Sequence, residues 1–392
     1  MEPPSQKPPL LPGPDKNGGD DPAEVKSPPR PEARRESPDG PKKDINWQFI
    51  GTVVAIIGLC VVIFFGFLEL RNACKTTEQL RETTEQLRKI VYNTTAAALL
   101  QQKGENQKAI EKWRDIVDTV GEEDNQLRAR AWFLIGYLQD GEERTEAAMD
   151  AYTKAIVLNS DFTEAYNNRG VAKNILGHHQ DALADYNRAI ALNPDYAVAY
   201  HNRGSVKDIL GQYEAAIADY NRAIALSPAY AEAYNGRGTA KKSLRPDLEG
   251  FQDAIADYDQ AIALNPAYAA AYNNRGVVKD TLGYHQDALA DLNRAITLNP
   301  IYTVAYTNRG VANNSLGQYQ DALADYDQAI ALNPDYYVAY ANRGVAKKNL
   351  GRINEARADY QKAIALAQAA GNADFVKGVK RNLGRLDNKE GA

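Results

Sequence analysis

A unit of 34 residues recurs almost unbroken from Leu127 to Gln368, and it restricts what this chain can become more than any other feature. Asp161–Pro194, Asp195–Pro228, Ala267–Pro300 and Ile301–Pro334 are variations on one pattern: AY-x-NRG, a leucine-glycine, then DA(L/I)ADY-x-x-AI-x-LNP. Stacked repeats build a surface rather than one enclosed pocket, so function is to be sought in what successive units present.

Each unit reads as two helices joined by a tight turn. The first half sets Tyr166, Gly170 and Leu176 at helical spacing and stops at Gly177; the second sets Ala182, Tyr186, Ala189 and Ile190 on one stripe and ends at Asn193-Pro194. A glycine column (Gly136, Gly170, Gly204, Gly238, Gly276, Gly310, Gly344) falls mid-helix, where glycine costs about 1 kcal/mol against alanine. Such a cost, repeated, implies close helix–helix approach, with a small-residue column (Ala148, Ala182, Ala216, Ala254, Ala288, Ala322, Ala356) expected opposite it. Aromatic columns, Trp132/Tyr166/Tyr200/Tyr234/Tyr272/Tyr306/Tyr340 and Tyr152/Tyr186/Tyr220/Tyr258/Leu292/Tyr326/Tyr360, fill the space between helices. The proline after each Leu-Asn forbids continuation and sets the next turn.

These glycine, alanine, aromatic and proline columns make the segment resemble the tetratricopeptide repeat family over about two-thirds of the chain. The resemblance implies an all-α fold: a right-handed superhelix of seven to eight helix-turn-helix repeats. Residues 127–368 hold the seven clear units, and 93–126 are expected as a degenerate one, since Gly104, Ala109 and Trp113 keep the spacing of Gly177, Ala182 and Tyr186. The Ala229–Pro266 unit has four extra residues, which the sequence places in a longer inter-helix turn at Arg245–Gly250. A final helix over 373–387, with Phe375, Val379, Leu383 and Leu386 on one face, is expected to cap the array.

The N-terminal third is a different polymer. Residues 1–44 hold 12 of the 18 prolines and almost no large apolar groups, a composition that cannot offset its ordering entropy and reads as disordered. Pro8-Pro9-Leu10-Leu11-Pro12 is either a polyproline ligand or part of a solvated tail. Residues 47–68 carry no charge; a helix of that length spans about 33 Å, enough to cross a bilayer. We expect a single-pass membrane protein held in the lipid bilayer by this anchor. Flanking charges of four against three leave its orientation open, with a lean to a cytoplasmic repeat domain. Cys60 and Cys74, the only cysteines, lie outside the repeats.

Residues 69–92 are expected as a helical stalk. Thr76–Glu82 and Thr83–Lys89 are a near-duplicate heptad, and Leu70, Ala73, Thr77, Leu80, Thr84, Leu87 and Val91 fall on one seam. Either a weak parallel coiled-coil homodimer or a lone stalk accounts for this pattern.

Function is sought on the first helix of each unit, which the resemblance places on the concave face. Two columns there vary between units, Glu164/Val198/Glu232/Ala270/Val304/Val338 and Asn174/Asp208/Lys242/Asp280/Asn314/Lys348. An asparagine column barely varies: Asn168, Asn202, Asn274, Asn308 and Asn342, broken at Gly236, with groove neighbours Asn167, His201, Asn235, Asn273 and Thr307. Asparagine is a poor helix former, so its repetition mid-helix asks for a compensating bond. The column is similar to one in the tetratricopeptide domain of the enzyme that attaches N-acetylglucosamine to proteins, which implies a ladder that holds a peptide main chain. Bonding between neighbouring helices is the alternative. Arginine (Arg169, Arg203, Arg237, Arg275, Arg309, Arg343) and aspartate (Asp185, Asp219, Asp257, Asp291, Asp325, Asp359) columns are both missing where Ile135 and Ala151 stand. Their joint absence suggests an ion pair inside each unit.

The four histidines (His178, His179, His201, His285) lack a metal-ligand spacing, and no phosphate loop or nucleophile motif occurs, so no enzyme activity, metal or cofactor is expected. A net charge of −5 without a basic stripe argues against nucleic acid. The expected partners are protein or peptide segments. Two readings remain: a membrane-tethered scaffold that binds through its groove, or a regulatory or receptor subunit controlling a membrane-associated enzyme, with the proline-rich tail as a second docking site.

Overall fold

The structure is a computed structural model that describes residues 77–121, 124–141 and 144–390. The proline-rich tail, the apolar span at 47–68 and the first part of the stalk lie outside the described residues. Among those described, no helix is long and apolar enough to cross a membrane.

Seventeen helices follow one another without a strand among the described residues. Helix α1 (Thr77–Gln102) pairs with α2 (Asn106–Thr119), α3 (Asn125–Gly141) with α4 (Thr145–Leu158), and α5 (Thr163–Ile175) with α6 (His179–Leu192). Then come α7 (Ala197–Ile209) and α8 (Tyr213–Leu226), α9 (Ala231–Leu244) and α10 (Leu248–Leu264), and α11 (Ala269–Thr281) and α12 (His285–Leu298). Helices α13 (Thr303–Ser315) and α14 (Tyr319–Leu332), α15 (Tyr337–Asn349) and α16 (Ile353–Ala369), and the single α17 (Ala373–Glu390) complete the series. Two compact units divide the chain between Val206 and Lys207, inside α7.

In the first unit α1 runs straight through the expected junction of stalk and degenerate repeat at 92–93. No glycine or proline interrupts it. The hydroxyls of Thr94 and Thr95 donate to the carbonyls of Ile90 and Val91, each at 2.8 Å. Its C-terminal half joins α2 and α3 in a core of Ala97, Ile110, Trp113, Ile116, Leu127 and Ile135.

In the second unit Gly238, Gly310 and Gly344 are where an aromatic ring lies against backbone, and at Gly276 the Leu292 side chain takes that place. A Cβ added at Gly310 would sit 2.6 Å from Cε1 of Tyr326, and that tyrosine is fully buried. The close packing inferred from the sequence is therefore ring on helix, with the alanine column supporting it. Turns after the first helices use glycine in the left-handed region, as at Gly283 (φ 85°).

The four extra residues of the Ala229–Pro266 repeat do not lengthen its turn. Residues 245–247 separate α9 from α10, a three-residue turn as in the other pairs, and the extension becomes added helix: α9 has 14 residues where α7 and α11 have 13, and α10 has 17 where α8 and α12 have 14. Asp247 makes this possible by accepting the N–H of Gly250 at 2.8 Å, a side-chain N-cap. Gly250 is required because a Cβ there would meet the Arg245 carbonyl oxygen.

Helix α17, expected over 373–387, covers the end of the series. Phe375, Val376, Val379 and Leu386 join Tyr337, Val338, Ala341 and Tyr360 in the last core, and the rings of Tyr337 and Phe375 meet edge-on at 4.7 Å.

Candidate functional site: the asparagine columns

Successive first helices carry asparagine where a helix-competent residue would be expected, and the structure shows where the amides go. In the first unit Asn202 Nδ2 on α7 donates to Asn167 Oδ1 on α5 at 3.0 Å, and Asn167 Nδ2 donates to Asn168 Oδ1 at 3.1 Å. In the second unit Asn308 donates to Asn273 at 2.9 Å, Asn273 to Asn274 at 3.2 Å, and Asn274 to Asn235 at 3.0 Å. Four amides on three helices thus form one directed relay. The members nearest the helix interface, Asn167 and Asn273, are 3% exposed, whereas Asn168, Asn202, Asn274 and Asn308 are half-buried.

The remaining members behave differently. Gly236 interrupts the column because the ring of Tyr220 occupies the space, 2.6 Å from where a Cβ would be. Asn342 is 1% exposed and its Oδ1 has no hydrogen-bond partner; its chain neighbour is Ala341, so the relay cannot extend through it. Thr307 stands at the neighbour position of α13 but donates its hydroxyl to the Thr303 carbonyl at 3.3 Å. Burial depresses the pKa of His201 to about 4, which keeps the imidazole neutral at physiological pH.

The variable columns are only partly available. Glu164 and Glu232 are exposed and Val198 is 37% exposed, but Val338 is buried. In the second column, Asn174 meets His179 Nδ1 at 2.9 Å, Asp280 meets His285 Nδ1 at 2.6 Å, and Asn314 is buried. Burial raises Asp280, against the opposing pull of His285.

The arginine and aspartate columns meet as the sequence suggests. Arg169 reaches Asp185 at 2.7 Å, Arg275 reaches Asp291 at 2.6 Å, and Arg343 reaches Asp359 at 2.6 Å. Two further partners escaped the sequence reading. A lysine one turn after the arginine grips the same carboxylate, as Lys279 does Asp291 at 2.8 Å and Lys347 does Asp359 at 2.7 Å. The other guanidinium arm reaches back to the preceding second helix: Arg203 to Asn187 at 2.7 Å, Arg237 to Asn221 at 2.7 Å, Arg343 to Asp327 at 2.6 Å. Each arginine also stacks on the tyrosine three residues before it, as Arg237 does on Tyr234 at 5.2 Å. The R-G-x-x-K spacing and the 16-residue offset were both present in the sequence; the one-to-one pairing of arginine with aspartate concealed them.

One node departs from the rule. Asn313 replaces the lysine beside Asp325, donating at 2.9 Å, while Arg309 stays bidentate. Burial raises the Asp325 pKa, against the pull of Arg309 and Asn313. Among the described residues no cluster of three or more His, Cys, Asp or Glu stands ready to hold a metal.

Comparison with known families and folds agrees with this geometry. Models described as tetratricopeptide repeat match residues 129–162, 163–196, 185–218, 269–302, 303–336 and 325–358, and one described as TPR repeat matches 209–244 and 248–283. Together they run over 129–244 and 248–358, more than half of the 392 residues. No curated protein matches the chain. A tetratricopeptide repeat protein from Parabacteroides merdae ATCC 43184 is 21% identical, with a TM-score of 0.52 over 66% of this chain and 98% of that one. A chain of the APC/C hetero-tetramer Cut9-Hcn1 is 15% identical, with a TM-score of 0.57 over 75% of this chain and 55% of that one. At these identities the likeness is one of fold.

Proposed function

The chain belongs to the tetratricopeptide repeat family, and from that premise we propose that it is a membrane-tethered scaffold whose first helices hold an extended segment of a partner protein. The observations that carry this reading are two half-buried sets of amides, Asn168 and Asn202 in the first unit and Asn274 and Asn308 in the second. A carboxamide has two N–H donors and an oxygen with two lone pairs. The relay engages one donor of Asn202, Asn274 and Asn308 and one lone pair of Asn168 and Asn274. What remains on each half-exposed amide is a donor and acceptor matched to a peptide main chain, fixed in orientation by the bond behind it. Fixed amides bind main chain with little ordering cost and little dependence on ligand sequence.

The neighbouring side chains favour a polar or amphipathic ligand: Glu164 and Val198 flank the row in one unit, Glu232 in the other. The uncharged stretch at 47–68 is the basis for the tether, and the absence of cysteine from the repeats fits a reducing compartment.

Peptides displayed as a random library test the groove. The wild-type chain should enrich extended peptides of varied sequence, and the Asn202→Ala/Asn308→Ala variant should lose them while keeping its helicity. Equal enrichment by both would remove the row from the binding surface. For the tether, deletion of 47–68 should release the protein from membranes; retention in the pellet would exclude that segment as the anchor.

A further inference from the structure

Helix α1 carries two apolar faces. From Ile90 onward one of them packs on α2, through Ile90, Ala97 and Leu100. The other, formed by Leu80, Thr84, Leu87 and Val91, has none of its members in that core; Thr84 is exposed and Val91 is 44% exposed. Its spacings alternate four, three and four, and its residues recur because TTEQLRE is followed by TTEQLRK.

We propose that this face joins two copies of the chain as a parallel two-stranded coiled coil. A seven-residue repeat keeps a single stripe of a helix facing a partner helix, and the seam here has β-branched Thr84 and Val91 at one core position and Leu80 and Leu87 at the other. That combination favours two parallel strands. Threonine, which would weaken such a seam by bringing a hydroxyl into it, is accommodated within the helix. Thr84 Oγ1 donates to the Leu80 carbonyl at 2.6 Å, so the hydroxyl is bonded and the methyl is left for the seam. The flanking charges set the direction. Arg81 and Arg88 both occupy the flank after the leucines, while Thr83 and Ile90 occupy the other. Antiparallel strands would bring the arginine flank against itself; parallel strands bring each arginine against the uncharged flank of the partner. The seam ends where Ile90 turns into the α2 core, and none of its four residues belongs to the asparagine relay.

Site-directed disulfide formation in the full-length chain tests this in mild detergent, with Cys60→Ser and Cys74→Ser as background. In a parallel pair Leu87 faces Leu87, so Leu87→Cys should cross-link to itself at least about tenfold faster than Glu85→Cys, which points away from the seam. Adding Leu80→Asp should abolish the Leu87→Cys cross-link and leave thermal melting of the repeats unchanged, because Leu80 lies outside the α2 core. Equal cross-linking of Leu87→Cys and Glu85→Cys would overturn the proposal. So would a wild-type chain that sediments as a monomer, including one that pairs only with a different helical protein.

Discussion

Arg275 and Asp291 face each other across the α11–α12 pair at 2.6 Å, and the same guanidinium reaches Asp259 on α10 at 2.5 Å. Burial opposes the arginine's charge, but Asp291 and Asp259 more than compensate and raise its pKa. One side chain therefore locks its own unit and the junction with the preceding unit. Removing one partner of such a group leaves a desolvated charge, so Arg275→Met should destabilise by roughly 3 kcal/mol. The double variant Arg275→Met/Asp291→Leu should be less damaged than the two single changes together predict. Urea unfolding measures both, and strictly additive losses would show that the pair is not coupled.

Asp325 lacks the second cation that its counterparts have. Its pKa is raised on folding, so its contribution to stability is present below the unfolded carboxylate value and is lost as pH rises through the folded one. Asn313→Lys should reverse this, adding about 1 kcal/mol at neutral pH and nothing near pH 3, where the carboxylate is protonated in both states. A gain of equal size at both pH values would assign the effect to packing instead.

His201 supplies an acid-sensitive element of the opposite kind. Its pKa falls from 6.5 to about 4 on burial, so the unfolded chain binds more protons within that window. Stability present above pH 6.5 should fall as pH drops towards 4, by roughly 3 kcal/mol at most. His201→Gln should flatten that part of the stability profile, and an unchanged slope would place the acid sensitivity elsewhere.

Glycine in the ring-packed column differs from glycine on the surface. Gly310→Ala forces a methyl to 2.6 Å from Tyr326 and should cost about 2 kcal/mol or more. Gly384→Ala, with nothing within 4 Å, should be neutral or stabilising by about 0.5–1 kcal/mol. Paired thermal melts decide, and similar losses at both positions would contradict the packing account.

The sequence disclosed most of this fold because the 34-residue period repeats each local signal: glycine at the turns, small residues where helices approach, proline after Leu-Asn; that a tyrosine ring lies over the mid-helix glycine, as Tyr326 does over Gly310, emerged only from the structure. It misled where one position was read alone. The residues at Arg245–Gly250 look like an expanded turn, yet Asp247 caps a longer helix through them. The asparagine row was visible as a column, but its direction was not. Spacing cannot reveal that Asn308 bonds Asn273 rather than Asn274, since that choice rests on side-chain geometry across two helices. Asn342 kept the pattern and not the bond, because Ala341 and Thr307 offer it no amide. The lysine beside every aspartate of the column except Asp325 follows from no pairwise match: a buried carboxylate can engage two cations, and matching of columns stops at one.

The most direct test of the peptide surface measures binding and fold on the same protein. Displayed peptides selected on the wild type would be titrated against a variant with Asn168, Asn202, Asn274 and Asn308 changed to alanine, with far-UV circular dichroism and melting recorded for both. Each relay bond adds about 1 kcal/mol to stability, so some loss of melting temperature is expected alongside retained helicity. At a temperature where both proteins are folded, the variant should bind at least about tenfold more weakly, as loss of 1.4 kcal/mol or more of main-chain contact requires. Undiminished binding by the folded variant would contradict the account and leave the asparagines as ties between neighbouring helices alone.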